Sequence, residues 1–600
     1  MNIIPKPKQV EIYEGQFVID IQTALIVSNQ RQTNKFAIEL KDFIKEKLGL
    51  NINLSLSAKR RIIFEHMATE NAYELRVECD VIRIQAPDDQ GLYYGMQTLK
   101  QLIVQFKRHI PQMYIQDKPL FNHRGFYHDV TRGKVPTLKM MQSLADTMAF
   151  FKLNQLQLYV EHTFLFSGQS EVWTVTDPLT AEEIIQLDMY CRERYIELVP
   201  SITTFGHLYE ALQTDSFKHL SESEKIDEFS FYDRMLHHTL NTTLDESIAF
   251  VKQMMDDFVP LFSSNKLNIC ADETFDLGEG RTKALAQKVG KSRLYVDFLN
   301  QIIEHARTYD KEIMFWGDMI LEHSKCAKEL PKDLVCLNWW YEPEYPEAKV
   351  KAITEYGFPQ YMCPGVNGWN RFMNNHQMAY DNIKMMTDYG KKYDAIGILN
   401  TDWGDFGHWN FIYNSFPGLI YGAAFSWGDS RTIEQMNQAV NTMLYETNND
   451  IMGLLMQLSD KHIMDFTSFV RWFEKDNDEY IKRINVSEEH VYTCNKDIEH
   501  IIHTLQDSMQ GLDTQKRKHV NAFIVSAQGI QWMNMLYLLV RKDAQGIELE
   551  QDLDAWQLAE RIEYWFLDFK QIWLMDNKPS ELSRSTEFIR KITTWLRNNA

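Results

Sequence analysis

The 600-residue sequence lacks several features that would restrict its function at once. It has no basic stripe, and its formal net charge is −20. A nucleic-acid partner is therefore not expected, because phosphate binding depends on lysine and arginine. The opening MNIIPKPKQV has no apolar segment typical of a secretory signal, and no run reads as long enough to span a bilayer. We therefore expect no membrane association.

The seven cysteines are few, widely spaced and odd in number. No CxxC pair or His–Cys cluster indicates zinc, and several cysteines lie in apolar runs where a reduced thiol packs as a small core residue. We predict a reducing, cytoplasmic location and no metal or other cofactor. The length requires two to four domains, and the composition is that of ordinary globular proteins.

Residues 1–118 mix short strands with helices. The segments YELRVE and VIRIQA alternate with period two, which is typical of half-buried strands. QGLYYGMQTLKQLIVQF has an apolar helical stripe, and the preceding Asp88-Asp89 can supply an N-cap. This pattern predicts a small N-terminal α+β domain.

Residues 119–430 repeat one unit, a short apolar run followed by a loop and an amphipathic helix. Eight such units predict a (β/α)₈ TIM barrel. A doubly wound open sheet is the alternative, but it usually has a Gly-rich first βα turn, which is absent. The predicted strands are 125–130, 156–160, 195–202, 267–271, 312–316, 334–340, 359–363 and 395–403.

Residues 431–600 have helical periodicity with few helix breakers, which predicts a C-terminal all-helical domain. No low-complexity linker precedes it, and its stripes are too apolar for an isolated appendage. We therefore expect these helices to pack on the barrel, and the same stripes make a homodimer an expectation. A role for the helices as an interaction scaffold stays open, although nothing in their sequence indicates a partner.

Functional side chains of such a barrel lie at the carboxyl ends of its strands. Tryptophans and carboxylates recur at these ends, and together they are typical of a sugar site, since pyranose C–H faces stack on indoles while hydroxyls bind Asp and Arg. A phosphate site is disfavoured because carboxylates outnumber cations. The residues concerned include Glu161, His207, Asp272, Glu273, Trp316, Trp339, Trp369, Trp403 and Asp405.

Several of these segments resemble the motifs of glycoside hydrolase family 20, the β-N-acetylhexosaminidases. Asn268 to Glu273, NICADE, looks like the family's H-x-G-G-D-E signature. RGFYHDVTR (124–132) is similar to its first-strand motif, TFGH (204–207) to its P-G-H, and TDWGD (401–405) to its last-strand W-x-E. Residues 1–118 resemble the small domain that precedes such barrels, and the whole is most like intracellular bacterial members with C-terminal helices.

The sequence departs from the family pattern at several places, among them Asp405, which replaces the glutamate of W-x-E. Asn268 replaces the signature histidine, and Cys270 and Ala271 replace its two glycines. The second-strand aspartate falls near Glu161-His162. At strand seven the expected tyrosine–aspartate pair reads Tyr361-Met362-Cys363, so its aspartate is missing.

The resemblance implies an exo-acting, retaining enzyme that uses the substrate's own 2-acetamido oxygen as nucleophile, acting on an oligosaccharide or glycoconjugate that ends in GlcNAc or GalNAc. Asp272 would orient the acetamide and Glu273 would be the general acid/base. The resemblance also implies that Arg124 and Asp405 bind sugar hydroxyls and that Trp316 or Trp339 forms an apolar wall. Trp403 would form the floor of the acetamide pocket, with Tyr361 or Trp369 bound to the acetamide carbonyl. Glu161 and His207 would form a relay to Glu273.

Asp129 and Arg132 are predicted to form a structural pair, and His207 has a core role as its alternative. Two other functions stay open. A family 84 type O-GlcNAc hydrolase shares the mechanism and domain order, but such enzymes use two aspartates. A non-catalytic sugar-binding barrel would be expected to have lost Asp272 or Glu273, and both are present.

Overall fold

The computed structural model describes residues 1–174, 176–225, 229–236, 238–322 and 324–599. The N-terminal region forms a seven-stranded mixed sheet in the order β1-β7-β5-β6-β4-β2-β3, with two helices, α1 and α2. Its elements are β1 Gln9–Val18, β2 Thr23–Ile26, α1 Arg31–Leu48, β3 Asn53–Ser55, β4 Arg60–His66, β5 Tyr73–Val77, β6 Val81–Ala86, α2 Asp89–Phe106 and β7 His109–Asp117.

Helix α2 connects this sheet to the rest of the molecule. The Asp88 carboxylate caps the helix by accepting a 2.7 Å hydrogen bond from the Gly91 amide, as the sequence suggested. Most of α2 is buried, because one face packs on the sheet and another contacts the next domain. Gln101, for example, donates to the Phe150 carbonyl at 2.8 Å.

The predicted (β/α)₈ barrel is confirmed. Eight parallel strands close in sequence order, from β8 round to β15, which pairs again with β8. Every predicted strand is present, and β12 has the predicted bounds. The strands are β8 His123–Asp129, β9 Gln155–Val160, β10 Glu197–Ile202, β11 Lys266–Asn268, β12 Glu312–Trp316, β13 Val335–Trp339, β14 Gln360–Cys363 and β15 Gly397–Asp402.

Helices surround the barrel because each carries one apolar face that packs on the strands. They are α3 Leu138–Phe150, α4 Ser170–Trp173, α5 Ala181–Arg192, α6 Tyr209–Leu212, α7 Phe231–Arg234, α8 Asp245–Phe258, α9 Lys283–Val289, α10 Lys291–Ala306, α11 Asp318–Glu322, α12 Cys326–Glu329, α13 Glu347–Glu355, α14 His376–Lys392 and α15 Ile412–Trp427.

Only helices follow in the described part of the chain after β15. From α16 onward they are α16 Ile433–Met443, α17 Ile451–Ser459, α18 Phe466–Lys475, α19 Glu479–Arg483, α20 Glu488–Ser508, α21 Thr514–Gln545, α22 Ala555–Asp576 and α23 Leu582–Asn598. By length and composition α21 could cross a membrane, contrary to the reading of the sequence. In the structure, 78% of its most apolar window is buried, as in a core helix.

The C-terminal helices pack on the barrel, as expected. The segment between α22 and α23 runs along the loop that follows β8. The Thr137 amide donates to the Asp576 carbonyl at 2.8 Å, and the Lys578 amide donates to the Val135 carbonyl at 2.8 Å. The C-terminal helices therefore reach the carboxyl-end face of the barrel, where the site residues lie.

Candidate active site

The chain leaves strand β11 in an unusual conformation that brings two consecutive carboxylates to one place. The backbone of Cys270, Ala271 and Glu273 is left-handed, with φ of 54°, 65° and 45°. In an extended strand Asp272 and Glu273 would point to opposite faces. Here His207 Nε2 lies 3.5 Å from Asp272 Oδ2 and 3.4 Å from Glu273 Oε2.

Hydrogen bonds from four neighbouring side chains stabilise this conformation, which costs free energy for residues other than glycine. The Thr204 hydroxyl donates to the Ile269 carbonyl at 2.6 Å, and the Tyr295 hydroxyl to the Ala271 carbonyl at 2.8 Å. Asn268 Oδ1 accepts from the Cys270 amide at 2.9 Å. Asn268 therefore holds the turn at the position where the family signature has histidine.

Asp318, just after strand β12, makes the fourth contact. Its Oδ2 accepts a 3.0 Å hydrogen bond from the Glu273 amide. Burial, and then the nearby charge of Asp272, raise the pKa of Asp318 to about 8, so this carboxyl group is protonated at neutral pH. The sequence analysis did not include Asp318, although its position directly after the predicted fifth strand was a usable signal.

Asp272 has one free acceptor in this site. Its Oδ1 is buried and has no hydrogen-bond partner among the described residues. An unpaired buried carboxylate oxygen is costly, so the position is suited to a donor supplied by a ligand. The Glu273 side chain is 27% exposed, and it is the more accessible of the two carboxylates.

His207 links the carboxylates to Arg132. Its ring stacks on His238 with centroids 4.4 Å apart, and its Nδ1 lies 3.1 Å from Arg132 Nη2. Burial disfavours the charged ring, whereas Asp272 and Glu273 raise the pKa of His207 above its usual range. The contact with Arg132 opposes this effect, because a guanidinium can only donate and Nδ1 can accept only when it carries no proton. On this contact geometry we assign the Nε2–H tautomer, with its proton facing the two carboxylates.

Arg132 is a central residue of the site, and it is 4% exposed. The predicted pair with Asp129 is present, because Arg132 Nη1 lies 3.8 Å from Asp129 Oδ2 and Asp129 Oδ1 accepts from the Arg132 amide at 3.0 Å. Arg132 also has partners beyond this pair. Its Nε lies 3.2 Å from Glu161 Oε1, and its Nη1 lies 3.3 Å from Asp405 Oδ1.

The predicted relay from Glu161 through His207 is wrong in its geometry. Glu161 Oε1 accepts from Arg132 and from the Tyr159 hydroxyl, the latter at 2.8 Å. In the described ranges no hydrogen bond joins Glu161 to His207, which meet only through the guanidinium. Burial raises the pKa of Glu161, but the charge of Arg132 outweighs it and lowers that pKa to about 2. Glu161 therefore orients Arg132.

Arg124 does not reach the site, so its prediction as a sugar ligand is wrong. It is the second residue of β8, at the opposite end of the barrel, and 1% exposed. Its guanidinium donates to buried main-chain carbonyls and to the Tyr94 hydroxyl, and it stacks on Trp427 at 4.8 Å. Arg124 joins the barrel to α2, whereas Arg132, past the end of the same strand, lies in the site beside Glu161 and Asp405.

Tyr361 is also placed outside the site. It is fully buried at the start of β14, with its ring 5.6 Å from His123 and its hydroxyl 3.5 Å from Gln155 Nε2. Tyr341, which the sequence analysis missed, occupies the rim instead. Its position directly after Trp339-Trp340, at the end of a predicted strand, was a usable signal.

Aromatic side chains form one wall of the site. The Trp403 indole donates a 2.7 Å hydrogen bond to the Tyr341 hydroxyl. The Tyr341 ring stacks on Trp339 at 5.0 Å and meets Trp369 edge-on at 4.9 Å. Trp316 has no exposed surface, and its ring centroid lies 5.8 Å from that of Trp403. It therefore supports the wall from within the protein.

Asp405 lies beside Arg132 at the same site. Its carboxylate contacts Arg132, and its Oδ2 accepts from Asn370 Nδ2 at 3.2 Å. Burial raises the pKa of Asp405 to about 6, although the charge of Arg132 acts in the other direction. At neutral pH the ionised group can accept hydrogen bonds from a ligand hydroxyl.

One group of described residues could also hold a metal ion. His207, Asp272 and Glu273 each offer a ligand atom, and these atoms lie within 4.8 Å of one another. The same three side chains form the hydrogen-bonded cluster described above. Their oxygen and nitrogen donors suit either a cation or proton transfer, so removal of metal is a necessary test.

Comparison with known proteins decides the family. The model for "Glycosyl hydrolase family 20, domain 2" matches residues 1–118, and the model for the family 20 catalytic domain matches residues 121–395. The chain belongs to glycoside hydrolase family 20. The family 84 alternative is thereby set aside.

Relatives within the family are distant. The chain is 25% identical to a beta-hexosaminidase of Porphyromonas gingivalis over 53% of its own length and 46% of that protein. It is 25% identical to human beta-hexosaminidase subunit beta over 49% of its length and 54% of the relative. It thus spans about half the length of the curated relatives it matches. The chitobiase structure of Flavobacterium johnsoniae shares its fold, with TM-score 0.63 and 16% identity over 96% of this chain and 99% of that one.

Proposed function

We propose that this protein is an exo-acting, retaining β-N-acetylhexosaminidase that releases terminal β-linked GlcNAc or GalNAc from oligosaccharides or glycoconjugates. The observation that carries the proposal is the buried, unpartnered Oδ1 of Asp272 beside the accessible carboxyl of Glu273. A 2-acetamido group presents an N–H donor for that oxygen. Membership of family 20 supports the same activity.

The geometry favours substrate-assisted catalysis. Both carboxylates approach one imidazole nitrogen, so they lie on one side of the site and do not flank a glycosidic bond as an acid and a nucleophile would. The nucleophile is then the acetamide carbonyl oxygen of the substrate. It attacks the anomeric carbon while the bond from that carbon to the leaving oxygen breaks, and an oxazolinium ion forms.

Each carboxylate has its own part in this sequence. Asp272 accepts the acetamide N–H and balances the positive charge of the oxazolinium. Glu273 gives its proton to the leaving oxygen, then takes a proton from the water that attacks the anomeric carbon and opens the oxazoline ring. Two inversions at one carbon give net retention of configuration.

The aromatic side chains and the Arg132–Asp405 pair recognise the terminal sugar. Trp403 and Trp339 offer faces for the acetamide methyl and the pyranose ring, and the Tyr341 hydroxyl can donate to the acetamide carbonyl because it accepts its own hydrogen bond from Trp403. Arg132 and Asp405 bind hydroxyls of the terminal sugar. Arg132 is 4% exposed and the Asp405 side chain is 20% exposed, so the pair is suited to a terminal sugar that enters a largely enclosed site.

A panel of nitrophenyl glycosides tests the proposal. We expect turnover of the β-GlcNAc substrate, lower or comparable turnover of β-GalNAc, and turnover of β-glucose at least about 10³-fold lower because that sugar lacks the internal nucleophile. Activity should survive EDTA. Comparable activity on the β-glucoside would disprove substrate assistance. Complete loss of activity in EDTA would show that His207, Asp272 and Glu273 form a metal site. Sugar binding without turnover would support a non-catalytic barrel.

We also propose a reducing, cytoplasmic location. Supporting this, the described cysteine thiols are free, and Cys270, Cys336 and Cys363 are buried in the barrel. Fractionation of the native host with thiol labelling is the direct test. The homodimer stays a prediction, to be checked by light scattering.

A further inference from the structure

A buried row of charged residues connects the C-terminal helices to the sugar site. Glu581, immediately before α23, is 3% exposed and both of its carboxylate oxygens lie 2.8 Å from Arg234 Nη1. Arg234 is 2% exposed, and its Nη2 donates to the main-chain carbonyl of Asp405 at 3.3 Å. Only one side chain therefore separates the C-terminal domain from the backbone of Asp405.

The backbone of Asp405 needs such a contact. Its φ of 42° is in the left-handed region, which is unfavourable for a residue with a β-carbon. The direction of its carboxylate depends on this backbone conformation. The carbonyl is held by the Gly407 amide at 3.0 Å as well as by Arg234, and the carboxylate then meets Arg132.

A second contact from the same domain supports the other side of Asp405. The Phe466 amide, at the start of α18, donates to the Asn370 carbonyl at 3.0 Å. Asn370 Nδ2 in turn donates to Asp405 Oδ2 at 3.2 Å, and Asn370 Oδ1 accepts from the Phe406 amide at 3.3 Å. The C-terminal helices thus reach Asp405 by two separate routes.

The charges in this row are balanced only when Glu581 is ionised. Burial raises the pKa of Glu581, but Arg234 and Arg584 outweigh burial and hold that pKa well below its usual range. If Glu581 were neutral, Arg234 would keep only the 3.6 Å contact with Glu210. A buried guanidinium that loses its main partner changes position or is destabilised, and its bond to Asp405 weakens.

We propose that the C-terminal helical domain is part of the substrate site, with Glu581 acting through Arg234 as a positioning residue for Asp405. This inference rests on the proposed function, because it assigns to Asp405 the binding of a terminal sugar hydroxyl. It makes the C-terminal helices a determinant of sugar affinity in addition to a structural support.

A double-mutant cycle on the full chain tests the coupling. Glu581→Gln, Asp405→Asn and the double variant are compared for KM and kcat on the β-GlcNAc substrate and for GlcNAc affinity by tryptophan fluorescence. We expect Glu581→Gln to raise KM and Kd by about 10-fold, because this is the loss of affinity expected when a hydrogen bond to a charged group is misplaced. The kcat should stay within about 3-fold of the wild-type value. In the Asp405→Asn background the same change should add less than about 2-fold, because coupled residues are not additive.

The matched control is Lys578→Met. Lys578 also joins the C-terminal region to the barrel, through Glu183 at 2.7 Å, but it does not touch the row that leads to Asp405. It should leave KM and Kd unchanged while lowering the melting temperature. If Glu581→Gln does not fold, Arg234→Lys is the second variant. It keeps the positive charge beside Glu581 but loses the hydrogen bond from Nη2 to the Asp405 carbonyl, and it should show the same coupling to Asp405→Asn.

The outcomes are distinguishable. Two results would overturn the positioning role while leaving the proposed activity intact. One is wild-type affinity in Glu581→Gln, and the other is an equal loss of affinity from Glu581→Gln in the wild-type and Asp405→Asn backgrounds. Wild-type protein that neither binds GlcNAc nor hydrolyses its β-glycosides would overturn the proposed function, and this inference with it.

Discussion

The indole of Trp403, directly after the last strand of the barrel, donates a 2.7 Å hydrogen bond to the hydroxyl of Tyr341, which follows the sixth strand. This bond orients the tyrosine so that its own proton is available to a ligand. A tyrosine from the strand-six loop thus takes the place in which the sequence analysis expected Tyr361 of strand seven.

The first prediction compares these two tyrosines. Tyr341→Phe removes the donor that orients the acetamide carbonyl oxygen for attack on the anomeric carbon, so kcat should fall by about 10²-fold, the cost of misplacing a reacting group. Tyr361→Phe is the matched control and should change kcat by less than about 2-fold, because its hydroxyl lies at the other end of the barrel. Equal effects would remove Tyr341 from the mechanism.

The second prediction separates the adjacent carboxylates. Glu273→Gln removes the transferable proton, so turnover of glycosides with poor leaving groups should fall by about 10²–10⁴-fold while activated aryl glycosides lose less in the first step. Asp272→Asn removes the charge that stabilises the oxazolinium, so its loss should persist with every leaving group. A common dependence on leaving-group pKa in both variants contradicts the assigned division of roles.

The third prediction distinguishes the two arginines near strand one. Arg132→Lys should raise KM because lysine cannot contact Glu161, Asp405 and His207 at once. Arg124→Lys should leave KM unchanged but lower the free energy of unfolding by about 2–4 kcal/mol, as buried carbonyls lose their donors. Michaelis constants and denaturant titrations on both variants measure this. A raised KM in Arg124→Lys alone would restore the original assignment.

The fourth prediction concerns the dependence of stability on pH. Because the pKa of Asp318 is raised to about 8, the folded protein holds a proton on it that the unfolded chain, with an aspartate pKa of about 3.9, has already released. Stability from this group is therefore fully present below about pH 4, and is lost as the pH rises toward 8. Asp318→Asn keeps an acceptor for the Glu273 amide but cannot ionise.

Melting temperatures of wild type and Asp318→Asn at pH 5 and pH 8 measure this difference. The wild type should lose more stability over that interval than the variant. Asp333→Asn, at an exposed ion pair with Arg307, serves as the control and should follow the wild type. Parallel curves for Asp318→Asn and wild type would show that Asp318 is ionised in the folded state.

Most of the architecture followed from local patterns. Apolar runs with intervening helical stripes predicted all eight barrel strands, because burial on both faces of a parallel strand leaves a continuous apolar signal. The adjacency of Asp272 and Glu273 after such a run predicted that both carboxylates lie at the carboxyl-end face of the barrel, where they approach His207. Strand β11 nevertheless ends at Asn268, three residues earlier than predicted, because the left-handed residues that follow cannot continue a pleat.

The errors share one physical cause. Arg124 and Arg132 belong to the same motif, but only the one beyond the strand's carboxyl end can reach the site, and strand ends are the least certain part of a sequence prediction. The prediction for Tyr361 was wrong for the same reason, since this residue lies at the start of its strand. Both roles came from the family resemblance, although the predicted strand 125–130 already had Arg124 at its amino end.

The sequence by itself determined the barrel, its neighbouring domains and the pair of carboxylates, since each depends on the periodicity or order of residues close together in the chain. Only the tertiary structure decided that Arg132 binds Asp405, that Tyr341 meets Trp403, and that Glu581 reaches the site through Arg234. These contacts join residues separated by tens to hundreds of positions, with Arg132 and Asp405 at opposite ends of the barrel's sequence. The Arg132–Asp405 contact exists because closure of the barrel brings its first and last strands side by side, and the other two depend on how loops and C-terminal helices pack at that face; no local pattern of residues records either.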